Sequence, residues 1–139
     1  MRSRGDRPTP QEGREELTDA IGTLYDAMKD CDGIAVFMPG IIDSENGYVL
    51  MGGALRYNDD FYFCRSLYQR CPVPIYIEDD AKCAVLAEAD SGSLKDVENG
   101  IALIFGTMIG GGIIHNHKLY RGKRFCAGEV SYSNPENTC

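Results

Sequence analysis

Apolar and polar positions change period several times along this chain, and the changes divide it into helices and strands. Thr9-Pro10-Gln11-Glu12 has the form of a capping box with proline at the first helical position, so a helix is expected to start there. Leu17, Ile21, Leu24, Tyr25 and Met28 then recur at helical spacing on one face, and Asp30-Cys31-Asp32-Gly33 supplies a glycine stop. Ile34 to Met38 is a continuous apolar run ended by Pro39-Gly40, the pattern of a central parallel strand buried on both faces. Ile41-Ile42-Asp43 and Tyr48-Val49-Leu50 flank Ser44-Glu45-Asn46-Gly47, whose Asn-Gly pair suits the positive φ of a tight turn; a small surface hairpin is expected. Gly52-Gly53 and Asn58-Asp59-Asp60 bracket a polar loop, after which Phe61, Phe63, Cys64, Leu67 and Tyr68 predict a short helix running into Pro72.

The next stretch organises the rest. Val73, Ile75 and Ile77 are apolar and β-prone, whereas Ala81, Ala84, Val85, Leu86 and Ala87 suit a helix, so Glu78, Asp79 and Asp80 fall at a strand-to-helix switch. That is where α/β proteins place their chemistry. Ser91-Gly92-Ser93 and Asp96 to Gly100 form the clearest break, and residues 1–95 are read as one domain with 96–139 opening a second. Beyond it, Ile101 to Phe105 and Ile113-Ile114 read as strands around a glycine-rich turn over 106–112, and His115-Asn116-His117 as a further turn before Leu119-Tyr120.

Composition narrows the field. A length of 139 residues suits one ordinary domain or pieces of two, and 43% apolar with 25% charged residues is a soluble, globular balance. The net charge of -7, with no cationic stripe beyond Arg2, Arg4 and Arg7, argues against a nucleic-acid partner. No apolar run approaches the ~20 residues of a membrane span, and the polar start Met1 to Asp6 lacks the apolar region of a signal peptide. The expected location is therefore the cytoplasm, with no membrane partner. Six cysteines, at 31, 64, 71, 83, 126 and 139, form no C-x-x-C pair and are read as reduced thiols, mostly buried, with a disulfide framework as the alternative.

Four groups could do chemistry, each with a plainer alternative. Asp80 could serve as a general base, its ionised form favoured at a helix N-terminus. Alternatively Asp79 or Asp80 is an N-cap that stabilises the helix by ~1 kcal/mol. Gly106, Gly110, Gly111 and Gly112 would let backbone N–H groups approach phosphate oxygens, with the Thr107 hydroxyl as a further donor. The same residues could form an ordinary hairpin turn, and they match neither common phosphate-loop pattern. Glu129, after Gly128, could accept hydrogen bonds from a polyol or be a solvated loop residue. His115 and His117 have chelating spacing, yet nothing near them in sequence completes a metal site, and none is expected.

The order of these pieces resembles the ROK family (repressors, uncharacterised frames and sugar kinases) of the actin-like ATPase superfamily. The resemblance runs from about Gly33 to Ser131 and rests on Val36 to Asp43, on Ile77-Glu78-Asp79-Asp80-Ala81-Lys82, on Gly106 to Gly112, and on Ala127-Gly128-Glu129. It implies an α/β fold of actin-like or ribonuclease-H-like type, incomplete here, and ATP-dependent phosphorylation of a hexose or an N-acetylated amino sugar. Asp80 would be the catalytic base; Asp79, Glu129, Gly52 and Gly53 would line the sugar pocket. Gly106, Thr107, Gly110, Gly111 and Gly112 would approach the phosphates of ATP, with Mg2+ accompanying the nucleotide. The partner implied is a small-molecule sugar, and a homo-oligomer stays open.

Several positions depart from the family pattern. Its E-N-D-A-N motif reads Glu78-Asp79-Asp80-Ala81-Lys82, and an extra acid beside the base should raise the pKa of the pair or repel phosphate. Met108 stands where the family usually has glycine, and Tyr132 where many members have a zinc-binding histidine, so no zinc is expected. The opening D-x-G-G-T motif and the adenosine pocket have no counterpart, which implies an internal part of a kinase of about twice this length. The rival expectation is a non-catalytic, sugar-binding remnant or regulator.

Overall fold

The computed structural model describes residues 7–28, 30–106 and 108–132. The element order is α1 (Arg14–Ala27), β1 (Ile34–Met38), β2 (Ile41–Asp43), β3 (Tyr48–Met51), α2 (Phe63–Arg70), β4 (Ile75–Asp79), α3 (Asp80–Ser91), β5 (Gly100–Phe105), β6 (Ile109–His115) and β7 (Lys118–Tyr120). Short 3-10 turns lie at Arg56–Asn58 and Val130–Tyr132.

α1 starts later than the capping box predicts. Its N-cap is Gly13, in extended backbone and with no side-chain cap. The segment before it is drawn away by a distant contact, the Tyr57 hydroxyl donating to Pro10 O at 2.7 Å. Arg14 then anchors the first turn by donating to Asp59 O at 2.8 Å while its guanidinium lies 4.4 Å above the Phe61 ring centroid. The helix ends at Ala27, ahead of the expected glycine stop. Leu17, Ile21 and Tyr25 pack on the core, but Leu24 and Met28 are exposed, so the apolar stripe is narrower than its spacing suggests.

β1 and β4 pair in parallel, from Ile34 opposite Ile75 to Met38 opposite Asp79. Met38, Ile42, Val49, Phe63, Leu67, Cys71 and Ile77 form the buried cluster beneath this pair, with α1 and α2 closing over it. Burial on both faces of β1 is not observed: Phe37 is 65% exposed, because among the described residues only one face of the strand carries packed elements. The β2–β3 hairpin is likewise not a surface appendage. Ile41, Ile42 and Val49 are buried because β2 packs across β4, and of the Asn46-Gly47 pair only Gly47 takes a positive φ. α2 forms where expected and buries Phe63 and Leu67.

The C-terminal, three-stranded sheet is antiparallel in the order β5-β6-β7. Asn116 and His117 both adopt positive φ and make the two-residue turn from β6 to β7. The glycine-rich turn is shorter than the sequence suggests. Only 106–108 connects the strands, and Gly110, Gly111 and Gly112 lie within β6, paired with Ile104, Leu103 and Ala102. The thiols also differ from expectation: Cys71 is buried, but Cys31, Cys64 and Cys83 are half-buried, and these four are free. Cys139 lies outside the described residues.

Candidate functional site at the β4–α3 junction

Apolar β4 delivers Glu78 and Asp79 to its C-terminal end, where Asp79 ends the strand and Asp80 begins α3. The two acids have different environments. Asp79 is 3% exposed and is the N-cap, its Oδ1 accepting from Lys82 N at 2.9 Å. Asp80 faces solvent, its Oδ1 accepting from Ala81 N at 2.8 Å. The capping role therefore belongs to Asp79 and leaves the Asp80 carboxylate open to a ligand.

Burial of Asp79 raises its pKa from 3.8 to about 6. The Lys82 N–H opposes the rise, Glu129 adds to it, the Lys82 charge opposes it, and Asp80 contributes least. The expected effect of an extra acid is thus real at Asp79, but desolvation is its main cause. Because the folded pKa is raised, the folded chain holds a proton between about pH 4 and 6 that the unfolded chain releases. Asp79 accordingly contributes most to stability below about pH 4 and becomes least favourable above about pH 6, a swing of about 3 kcal/mol. Asp79→Asn should flatten stability across that window and raise it at pH 7; urea unfolding midpoints at pH 4.5 and pH 7 check both.

Two buried acids, Glu78 and Asp79, and the half-buried Glu129 meet two cations. Glu78 accepts from Arg121, Nη2 to Oε2 at 2.7 Å, and its Oε1 accepts from Asp79 N at 3.1 Å. Lys82, 1% exposed, is ion-paired to Glu129 and lies with Nζ 3.9 Å from Asp79 Oδ1. The Glu129 side chain is only 9% exposed, so the solvated-loop alternative fails for it. These pairs hold the loop after β7 against the start of α3. Neither Lys82 nor Arg121 stands out in the sequence as a site residue, although Lys82 follows Asp79 at the i,i+3 spacing of an ion pair on a helix.

The glycines explain the close fit. A Cβ on Gly110 would lie 2.6 Å from Ala81 Cβ, and one on Gly112 would lie 3.0 Å from Val85 Cγ2. β6 can therefore lie directly against the first turns of α3, next to Asp80. A Cβ on Gly111 would come 2.8 Å from Ala102 O, and one on Gly128 2.7 Å from Gly112 Cα. Gly106, in the turn, would bring a Cβ into ordinary contact with Met108 O at 3.8 Å, and its N–H donates to Met108 O at 3.1 Å. The Met108 side chain is exposed, and Thr107 lies outside the described residues. Gly52 and Gly53 sit apart from the acids but at the same end of the parallel strands. Gly53 packs on the Pro39-Gly40 backbone just after β1, and Gly52 N donates to Asp59 Oδ1 at 2.7 Å. Cys83, beside the acids, has its thiol pushed up to about 11, chiefly by burial, and is no nucleophile at neutral pH. The side chain of Tyr132 lies outside the described residues.

An exposed carboxylate at a helix start, flanked by buried acids at the C-terminal end of a parallel strand pair, is the arrangement expected of a ligand site in an α/β protein. The ROK family matches residues 1–138. The chain belongs to the ROK family. A beta-glucoside kinase from Klebsiella pneumoniae is 42% identical over 118 residues, which are 85% of this chain and 40% of that protein. Among solved structures, a suggested N-acetylmannosamine kinase from Listeria monocytogenes superposes with a TM-score of 0.80 at 39% identity, over 85% of this chain and 40% of the other. A ROK family glucokinase from Streptomyces griseus, in complex with glucose and AMPPNP, gives 0.74 at 27% identity, over 86% and 39%. The α/β architecture is that of ROK sugar kinases, which have the actin-like ATPase fold. This ROK chain spans about 40% of the length of the curated relatives it matches. Among its described residues no helix is long and apolar enough to cross a membrane.

Proposed function

We propose that this ROK chain carries the sugar-facing and catalytic-base part of an ATP-dependent sugar kinase. The observation that carries the reading is the division of labour at the β4–α3 junction: Asp79 caps the helix and is buried, while Asp80 is solvent-facing and free to take a proton. A sugar hydroxyl placed on Asp80 would lose its proton to the carboxylate as its oxygen attacks the terminal phosphate. Asp79 and Glu129 would accept hydrogen bonds from neighbouring hydroxyls, with Gly52 and Gly53 closing the pocket at the end of β1. The related kinases support a hexose, a β-glucoside or an N-acetylated amino sugar as substrate class, and the cytoplasm is the location that goes with this proposal.

The triphosphate is assigned to the 106–108 turn and the adjoining start of β6, the glycine-rich stretch packed on α3. The strand glycines, which bring that stretch against the helix that starts with Asp80, support the assignment. Mg2+ would accompany the nucleotide and neutralise phosphate charge. Glu78 and Glu129 are each committed to a cation, whereas Asp80 is exposed. With the division at 95/96, the base and the phosphate turn stand on different domains.

A second reading is a sugar-binding regulator without phosphoryl transfer. It is favoured by the exposed Met108 in the phosphate turn and by the internal hydrogen bond that engages Gly106 N–H. Thermal melts with glucose, a β-glucoside and N-acetylmannosamine, each with and without Mg-ATP, separate the two, since a ligand at 100 times its Kd adds about 2.7 kcal/mol. Midpoints raised by a sugar and further by Mg-ATP are expected for the kinase. A shift with sugar alone favours the regulator, and no shift with any sugar rejects both.

A further inference from the structure

Lys82 is the most deeply enclosed charged side chain among the described residues. Its backbone N–H donates to Asp79 Oδ1, and its ammonium is ion-paired to Glu129 Oε1 and lies 3.9 Å from Asp79 Oδ1. Glu129 arrives from 47 residues further along the chain, in the loop where Gly128 passes against β6. That loop is closed by its own backbone bonds, Ala127 N to Arg121 O and Glu129 N to Cys126 O, both at 3.1 Å. Without a cation between them, Asp79 and Glu129 would be two like charges in a desolvated space, which neither the loop nor the helix start could hold together.

We propose that Lys82 is a positioning residue of the sugar site, the shared counter-charge that holds the Glu129 carboxylate against the start of α3 beside Asp79. This rests on the sugar-site reading above. With Oδ1 of Asp79 and Oε1 of Glu129 engaged, Oδ2 and Oε2 are left as acceptors. The ligand must then bring two donors, as adjacent hydroxyls of a sugar do. Asp79 and Lys82, at i,i+3 with Nζ 3.9 Å from Oδ1, act together as a compensating charge pair.

The test compares wild type with Asp79→Asn, Lys82→Asn, Lys82→Met and the Asp79→Asn/Lys82→Asn double variant. The readouts are urea melts, hydrogen exchange at the amides of Ala127, Glu129 and Val130, and thermal shifts with the same three sugars and with Mg-ATP. Lys82→Met keeps the volume but not the charge. It is expected to speed exchange at those amides at least about tenfold and to weaken sugar binding at least tenfold. The Mg-ATP shift should stay unchanged, which a general loss of structure would not allow. Lys82→Asn should cost at least tenfold less in the folding constant when Asp79 is already asparagine. A Met variant that leaves exchange and sugar binding as in wild type overturns the proposal, as does an equal cost of Lys82→Asn in both backgrounds. A single variant that fails to fold while the double variant folds supports compensation; failure of both overturns it. If wild type binds none of the sugars, the sugar-site reading fails, and the exchange and coupling results still decide whether Lys82 positions Glu129.

Discussion

Asp80→Asn is expected to lower sugar phosphorylation by about 10²–10⁴-fold, the usual contribution of a positioned general base, while leaving the fold intact. The structural cost should be small for two reasons. Asp80 faces solvent, so no buried charge is uncovered, and the hydrogen bond that its carboxylate accepts from Ala81 N can be accepted equally by an asparagine oxygen. The helix cap is unaffected because Asp79 supplies it. What is lost is the carboxylate that takes the proton. Initial rates at saturating sugar and Mg-ATP, set beside a melt of the same protein, check the expectation. A variant that melts early would assign Asp80 a structural role, and one that keeps full activity would remove it from the chemistry.

Gly128→Ala is expected to destabilise the chain by about 2–5 kcal/mol, combining left-handed backbone strain with overpacking. Gly128 has φ of +85°, and an added Cβ would sit 2.7 Å from Gly112 Cα and 3.0 Å from Gly111 O. Both obstacles are backbone in a paired strand, so neither can swing aside. The loop would have to lift from β6 and take Glu129 away from Lys82, so sugar binding should fall as well. That cost is a large share of the 5–15 kcal/mol that stabilises a typical domain. Gly106→Ala is the control: the nearest atom to its added Cβ is Met108 O at 3.8 Å, and a change within about 1 kcal/mol is expected. Urea melts of the two variants test the contrast. Equal stabilities would mean that the loop does not pack on β6.

The strand-to-helix switch at Asp79 and Asp80 was legible because β-branched residues end and alanines begin within a few positions, and α2 because its apolar residues recur on one face. The helix start was misplaced. Thr9 to Glu12 satisfies a capping rule, yet Tyr57 and Arg14 tie that region to a distant loop instead. Composition does not separate the three strand glycines from turn residues, because glycine serves both turns and close packing. Nothing in the sequence marks Lys82 and Arg121, because lysine and arginine usually lie at the surface.

Local patterning thus determined the order of elements, the α/β class and which residues stand at the end of β4, since period, turn chemistry and capping act over a few neighbouring residues. Tertiary structure alone decided which of the two aspartates is buried, which acid Lys82 neutralises and how closely β6 approaches α3. Those outcomes depend on desolvation and charge, set by groups brought together across 43 residues for Arg121 with Glu78 and 47 for Lys82 with Glu129.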